Sequence, residues 1–157
     1  LLALEARLRL KSQKGERVVN VEDFFTGPGE TLLTDEEMLQ EIHVPNLPPH
    51  GRGTYLKLSP RRSMDLAVVG VAAVVIVEDQ ICSDIRIALG AVAPTPIRAR
   101  RAESVARGQK LNDEVIAKAA RVASEECRPI SDHRASAEYR CNMVEVLTRR
   151  AIKHSIS

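Results

Sequence analysis

The stretch Tyr55-Leu56-Lys57-Leu58-Ser59-Pro60-Arg61-Arg62 holds a lysine inside an alternating apolar run and an arginine pair just after the proline that ends it. Two readings of these cations stand side by side. Lys57 can lie on a solvated strand face with Arg61-Arg62 in a turn. Alternatively, the residues meet a ligand, because guanidiniums grip carboxylates, backbone carbonyls or an anionic group in a fixed fork. Periodicity alone does not separate the two, and the solvated reading is the commoner outcome.

Other chemistry-bearing residues form no constellation. Ser59, Ser63, Cys82 and Cys141 lack a G-x-S-x-G setting, so no activated nucleophile is assigned. Glu36-Glu37 and Glu125-Glu126 are sequence neighbours; on a helix such neighbours diverge, which fits solvation and capping better than acid–base work. Gly27-Pro28-Gly29 and Gly51-Arg52-Gly53 match neither a dinucleotide fingerprint nor a P-loop. The 4 histidines are scattered, and the 3 cysteines, Cys82, Cys127 and Cys141, include no C-x-x-C pair. A zinc site or a disulfide framework is therefore not expected, and a reducing cytoplasm fits best. No catalytic residue and no metal ligand emerges.

The remaining composition bounds the class. The chain of 157 residues is 44% apolar and 28% charged, which are globular values. Aromatic residues make up 3%, with no Trp. The core must be built from Val, Ile, Leu and Ala, and stacking platforms for single-stranded nucleic acid are not expected. A net charge of +2 implies no polyanionic partner. The longest apolar run, residues 66–77, is strand-sized and too short to span a membrane. The chain opens on Leu1 inside an alternating pattern, which reads as a fragment or a processed chain, and no signal peptide is visible.

The elements that would position Lys57 follow from period and punctuation. Residues 3–10 and 17–21 read as a hairpin about Lys14-Gly15, and residues 22–25 as a helical turn. Thr34 with Glu37 three positions on forms a capping-box signature for a short helix to Gln40. Residues 42–44 read as extended, and the Pro- and Gly-rich stretch after them as the main internal boundary. Three strands follow at 54–59, 66–78 and 81–92, the last two paired across 78–80. Three helices end the chain. The first runs from Pro96 to about Arg107 and stops at Gly108. Asn112 caps the second, and Asp132 or Ser136 the third, whose apolar face is Tyr139, Met143, Val146, Leu147 and Ala151. The arginines at 98, 100, 101, 107, 149 and 150 read as solvated rather than docking. Strands first and helices last define an α+β fold. Residues 3–10 offer an open strand edge, from which self-association as a symmetric dimer is expected.

Four stretches in this order carry a resemblance: VEDFFTGPGETLLTDEEMLQEIHVP, YLKLSPRRSMDLAVVGVAA, IRIALGAVAPTPIRARRAE and PISDHRASAEYRCNMVEVLTRRA. Together they resemble the flavoprotein (medium) subunit of molybdenum hydroxylases, the group of carbon monoxide dehydrogenase, xanthine dehydrogenase and aldehyde oxidase. The resemblance implies a small strand-rich remnant of an FAD-binding domain at 1–46. It implies at 53–157 a three- to four-stranded antiparallel sheet packed on three C-terminal helices. It implies a role in passing electrons from iron–sulfur clusters through FAD to an acceptor, beside a molybdopterin-binding large subunit and a [2Fe-2S] small subunit. Lys57 and Leu39 match flavin contacts of the family, a cation near the pyrimidine end of the ring and an apolar wall. Arg61, Arg62 and Asp65 fall in the same motif and shape the loop beside the ring. The family's glycine-rich pyrophosphate segments are absent from this sequence, so FAD binding by the chain alone is expected to be weak or absent and the isolated chain inactive. The alternative is a subunit-docking domain that binds no flavin alone. The substrate and the electron acceptor are not written in these residues.

Overall fold

The computed structural model describes residues 1–61 and 65–157. Arg62 lies outside the described residues.

The N-terminal part is a three-stranded antiparallel sheet in the order β2-β1-β5, with β1 at Arg7–Ser12, β2 at Gly15–Asn20 and β5 at Met38–His43. In β1 the alternation resolves as expected, with Leu8 and Leu10 buried while Arg7, Arg9 and Lys11 face water. The strand starts later than position 3 because Leu2–Leu4 form a 3-10 turn ended by Glu5 in the left-handed region, φ 53°. That turn aims the Glu5 carboxylate at Arg86 and Arg98 of the second sheet, 3.2 and 3.6 Å away. The expected open edge is not there. β1 is hydrogen-bonded on both sides, to β2 and to β5, so the argument for self-association through residues 3–10 fails.

The short helix expected at 34–40 is also replaced. Half of its capping box forms, with Thr34 N–H donating to Glu37 Oε2 at 3.1 Å, while Glu37 N–H donates to the Thr34 backbone carbonyl at 3.0 Å as in a turn. The turn then leads straight into β5. Pairing with β1 outweighs local helix propensity, while Arg17 holds Glu37 through two bonds of 2.6 and 2.9 Å. Between these strands lie α1 (Val21–Phe24) and a small ribbon of β3 (Phe25–Gly27) and β4 (Glu30–Thr31).

The second part is a four-stranded antiparallel sheet, β6 (Gly51–Leu58), β7 (Val69–Glu78), β8 (Ile81–Gly90) and β9 (Ile97–Arg98), paired in that order. The β7–β8 hairpin turns on Asp79 and Gln80, both at positive φ (48° and 67°). That geometry matches the twist of the flanking strands. Three helices, α2 (Arg100–Ala106), α3 (Asp113–Glu126) and α4 (Ala137–Ile156), complete the chain. The fold is α+β, as the order of elements implies.

One helix boundary and one helix face differ from the periodic reading. Residues 97–98 pair with Ala88 and Leu89 as the edge strand β9, so α2 begins at Arg100 rather than Pro96. On α4 the buried set is Arg140, Val144, Leu147, Thr148, Ala151, Ile152 and Ser155, while Tyr139 and Val146 are exposed. The helix is rotated toward Arg140 because that guanidinium finds internal acceptors, described below. Asn112 and Ser136 cap α3 and α4 as expected, accepting from Val115 and Tyr139 N–H at 2.9 and 3.2 Å.

The central sheet is buried on both faces. Val69, Val71, Ala73 and Val75 of β7 join Ile85, Ile87 and Leu89 of β8 in the core under the helices. The opposite side of the same strands, with Ala72, Val74 and Ala88, packs against Leu2, Ala3, Leu8, Leu10, Val21 and Phe24 of the N-terminal part. Charges cross that junction as well, from Arg86 and Arg98 to Glu5 and from Arg100 to Glu22. Among the described residues, no helix is long and apolar enough to cross a membrane, and no three His, Cys, Asp or Glu side chains cluster as a metal site.

Candidate cofactor-binding face

Successive residues of a strand point to opposite faces. In the second sheet, register therefore assigns each residue to the helical side or to the other. Lys57 pairs with Gly70, Tyr55 with Ala72, Gly70 with Gly90 and Ala72 with Ala88. These residues share the face away from the helices. Its floor, Gly70, Ala72, Ala88 and Gly90, carries almost no side chain. The Tyr55 side chain lies across it: a Cβ added at Gly70 would stand 2.9 Å from the Tyr55 hydroxyl oxygen.

The result is a flat apolar cleft of about 320 Å³, floored by the small residues and walled by Tyr55, Leu2, Val21 and Phe25. A second cleft of about 310 Å³ continues from Tyr55 toward Gly53 and Leu47. Tyr55 is 63% exposed although Gly70 and Ala72, across from it on β7, are buried and half-buried. An exposed aromatic ring over a shelf of glycine and alanine is what a planar, largely apolar ligand needs for close approach.

Lys57 stands two residues beyond Tyr55 on the same face, at the end of β6. Its ammonium donates to the Asp65 carbonyl at 2.5 Å. The Asp65 carboxylate in turn accepts from Arg61 N–H at 2.9 Å, and the Ser59 hydroxyl donates to the Arg61 carbonyl at 2.8 Å. Val68 N–H closes the segment onto the Leu58 carbonyl at 2.8 Å. The structure thus gathers Lys57, Arg61 and Asp65 into one loop-fixing set beside the shelf. Asp65 acts as the staple, through its carboxylate and its backbone. Leu39 stands apart. It lies on β5 opposite Leu10 rather than on a capped helix, and is partly exposed.

Sequence reasoning passed over Tyr55, Gly70 and Gly90. The signal was present: once β6, β7 and β8 are paired, one face carries the smallest residues of all three strands. It also passed over Arg140, which is buried and donates to the Val68 and Ala91 carbonyls at 2.6 and 3.1 Å and to Asp132 at 2.8 Å. That contact fixes the backbone where the loop re-enters the sheet.

The face fits the ring portion of a flavin. Its floor is flat once the Tyr55 ring swings off Gly70, its walls are apolar, and a cation stands at its edge. It does not offer the rest of an FAD site, because the sequence holds no glycine-rich turn for a pyrophosphate.

Two family models match the chain. The CO dehydrogenase flavoprotein C-terminal domain matches residues 54–155, and the FAD binding domain in molybdopterin dehydrogenase matches residues 1–47. The chain belongs to the FAD-binding medium-subunit family of the molybdenum hydroxylases. It is 39% identical over 153 residues to the glyceraldehyde dehydrogenase medium chain of Sulfolobus acidocaldarius, covering 98% of this chain and 54% of that protein. It is 32% identical over 157 residues to the xanthine dehydrogenase FAD-binding subunit of Escherichia coli O157:H7, covering 99% of this chain and 54% of that one. Among solved structures, carbon monoxide dehydrogenase of Hydrogenophaga pseudoflava matches with a TM-score of 0.94 at 35% identity, over 98% of this chain and 53% of that one. The chain spans about half the length of the curated relatives it matches.

Proposed function

We propose that this chain forms part of a flavoprotein subunit that passes electrons from iron–sulfur clusters through FAD to an acceptor, within a cytoplasmic molybdenum hydroxylase complex. The complex would contain a molybdopterin-binding large subunit and a [2Fe-2S] small subunit. Residues 1–46 would be the end of the FAD-binding domain and residues 53–157 the C-terminal domain. The observation that carries the reading is the small-residue shelf beneath Tyr55 with Lys57 at its rim, in a chain of this family.

The shelf residues would take one face of the isoalloxazine, and Tyr55 and Phe25 would keep water from it. Lys57, oriented by the Asp65 carbonyl, would place a positive charge at the ring edge. Arg61 and Asp65 would hold the loop that carries it, with Arg62 in the same motif. Leu39 would supply apolar wall only in the assembled flavin domain. A bound flavin supplies electron transfer in single or paired steps; the protein supplies shape, dryness and charge. Without a phosphate cradle the chain alone would bind FAD weakly or not at all and would lack activity.

The test is reconstitution with the remaining subunit sequence and the two partner subunits. The assembled complex should retain flavin and reduce it on adding substrate, while the isolated chain purifies colourless. Flavin at near-unit stoichiometry in the isolated chain would refute the weak-binding statement. Retention and reduction unchanged by Gly70→Val would refute the shelf as the ring site.

A further inference from the structure

Cys127 ends α3 and Cys141 lies in the second turn of α4, and their sulfurs stand 2.9 Å apart. Both are free thiols. The Cys127 thiol is further held by the Ser124 carbonyl, at 2.9 Å. The two cysteines flank the connection that carries Asp132, the anion that takes Arg134 and Arg140. The third cysteine, Cys82, is fully buried on β8, with its thiol directed to the Asp84 carbonyl at 3.4 Å.

We propose that Cys127 and Cys141 are a redox-active dithiol that forms an intramolecular disulfide with small disulfides such as oxidised glutathione. The two sulfurs already lie close together, so only a small approach of Cys141 separates them from bonding distance (about 2.05 Å). Linear ligation of a soft metal ion would need the sulfurs much further apart, so the geometry favours a bond over a metal. Access sets the order of events. Cys141 is partly exposed and Cys127 is buried. Burial, and then the bond to Cys141, push the Cys127 thiol up to about 12. The Cys141 thiolate therefore attacks the small disulfide, forming a mixed disulfide and releasing one thiolate. Cys127 then attacks the Cys141 sulfur and expels the second. The protein gives up two electrons and two protons, and one RSSR becomes two RSH.

The closed loop spans the Asp132–Arg140 clamp, so oxidation restrains the segment that anchors α4 to the central sheet. The experiment uses the full chain, incubated with excess oxidised glutathione without denaturant. The free-thiol count should fall from three to one, the mass should drop by two hydrogens, and peptide mapping should join Cys127 to Cys141. Tm should rise by roughly 5–10 °C, as expected for a short covalent loop in a chain of this size, and fall back with dithiothreitol. Cys141→Ser should keep both remaining thiols free under the same treatment. The proposal is overturned if three thiols persist, if one glutathione stays attached to Cys141, if Cys82 enters the bond, or if Tm is unchanged or lowered.

Discussion

The guanidinium of Arg140, on α4, donates at 2.6 Å to the carbonyl of Val68, 72 residues earlier in the chain. The same Nη1 reaches Ala91, which sits at φ 63°, and Nη2 reaches Asp132. One buried cation thus gathers the entry to β7, the exit of β8 and the loop before α4.

Replacing Arg140 with methionine keeps much of the apolar bulk and strands two carbonyls and a carboxylate. Stability should fall by about 2–4 kcal/mol, read from urea unfolding. Ala91→Gly should instead stabilise by about 1 kcal/mol, since only glycine adopts that backbone without strain. A neutral Arg140→Met variant would mean the clamp contributes nothing.

Arg98 and Glu103 form a second buried pair, 2.6 Å apart with both side chains 1% exposed. The same carboxylate oxygen accepts the Ile87 N–H at 2.9 Å, and Arg98 Nη1 has no hydrogen-bond partner among the described residues. Glu103→Ala should therefore cost about 3–5 kcal/mol, because it leaves the buried Arg98 guanidinium with only the half-exposed Glu5 carboxylate at 3.6 Å and strands the Ile87 N–H. The double variant Arg98→Met with Glu103→Leu should recover most of that loss. Equal loss in the double variant would argue that the pair itself, rather than the unpaired charge, sets the cost.

Acid should destabilise the fold in a narrow window. The bond from Arg17 and then the Thr34 N–H hold the Glu37 carboxyl down to about 2. The Arg134 N–H and the Arg140 guanidinium hold Asp132 down to about 2 despite some desolvation. Unfolded carboxylates titrate near pH ~4. Between those limits the unfolded chain binds more protons, so the contribution is complete above that range and is lost as pH falls toward 2. Tm measured from pH 6 to pH 2 should drop below pH ~4, with a shallower slope in Glu37→Gln. A flat profile would contradict the assignment.

At the shelf, Gly70→Val places methyl groups where the Tyr55 ring lies. In the assembled enzyme this should weaken flavin retention roughly tenfold or more, about 1.4 kcal/mol, while the variant chain still folds. On the proposed placement of the flavin, Lys57→Met would remove a cation from the edge of a ring that gains negative charge on reduction. The flavin potential should fall by on the order of 30 mV. An unchanged potential would leave Lys57 only its role in holding Asp65.

Much of this architecture was legible from residue pattern. Three of the four strands of the second sheet, the 78–80 turn, the Asn112 cap and one of the two caps offered for the last helix, Ser136, are local signals, and they came through. The failures share one cause, which is pairing between distant segments. β5 forms because β1 offers it an edge, although Thr34 and Glu37 carry a helix-start signature and make half of its contacts. β9 forms because β8 offers an edge at Ala88 and Leu89, although Pro96 suits a helix entry. α4 turns its arginine inward because Val68 and Ala91 present carbonyls that no local window contains. The candidate face was half legible: Lys57, Arg61 and Asp65 lie in one motif, whereas the shelf exists only after three strands are set in register. Leu39 was placed on the wrong kind of element.

Strand β7 serves both faces of its sheet by alternation from Val69 to Val75, with Val69, Val71, Ala73 and Val75 toward the helices and Gly70, Ala72 and Val74 toward the N-terminal part. A single residue inserted within the strand, just after Val69, would exchange the two sets beyond it, driving valines up through the shelf floor and glycine into the helical core. Gain or loss of one codon here is thus more damaging than almost any single replacement. The strand can drift in composition but is locked in length.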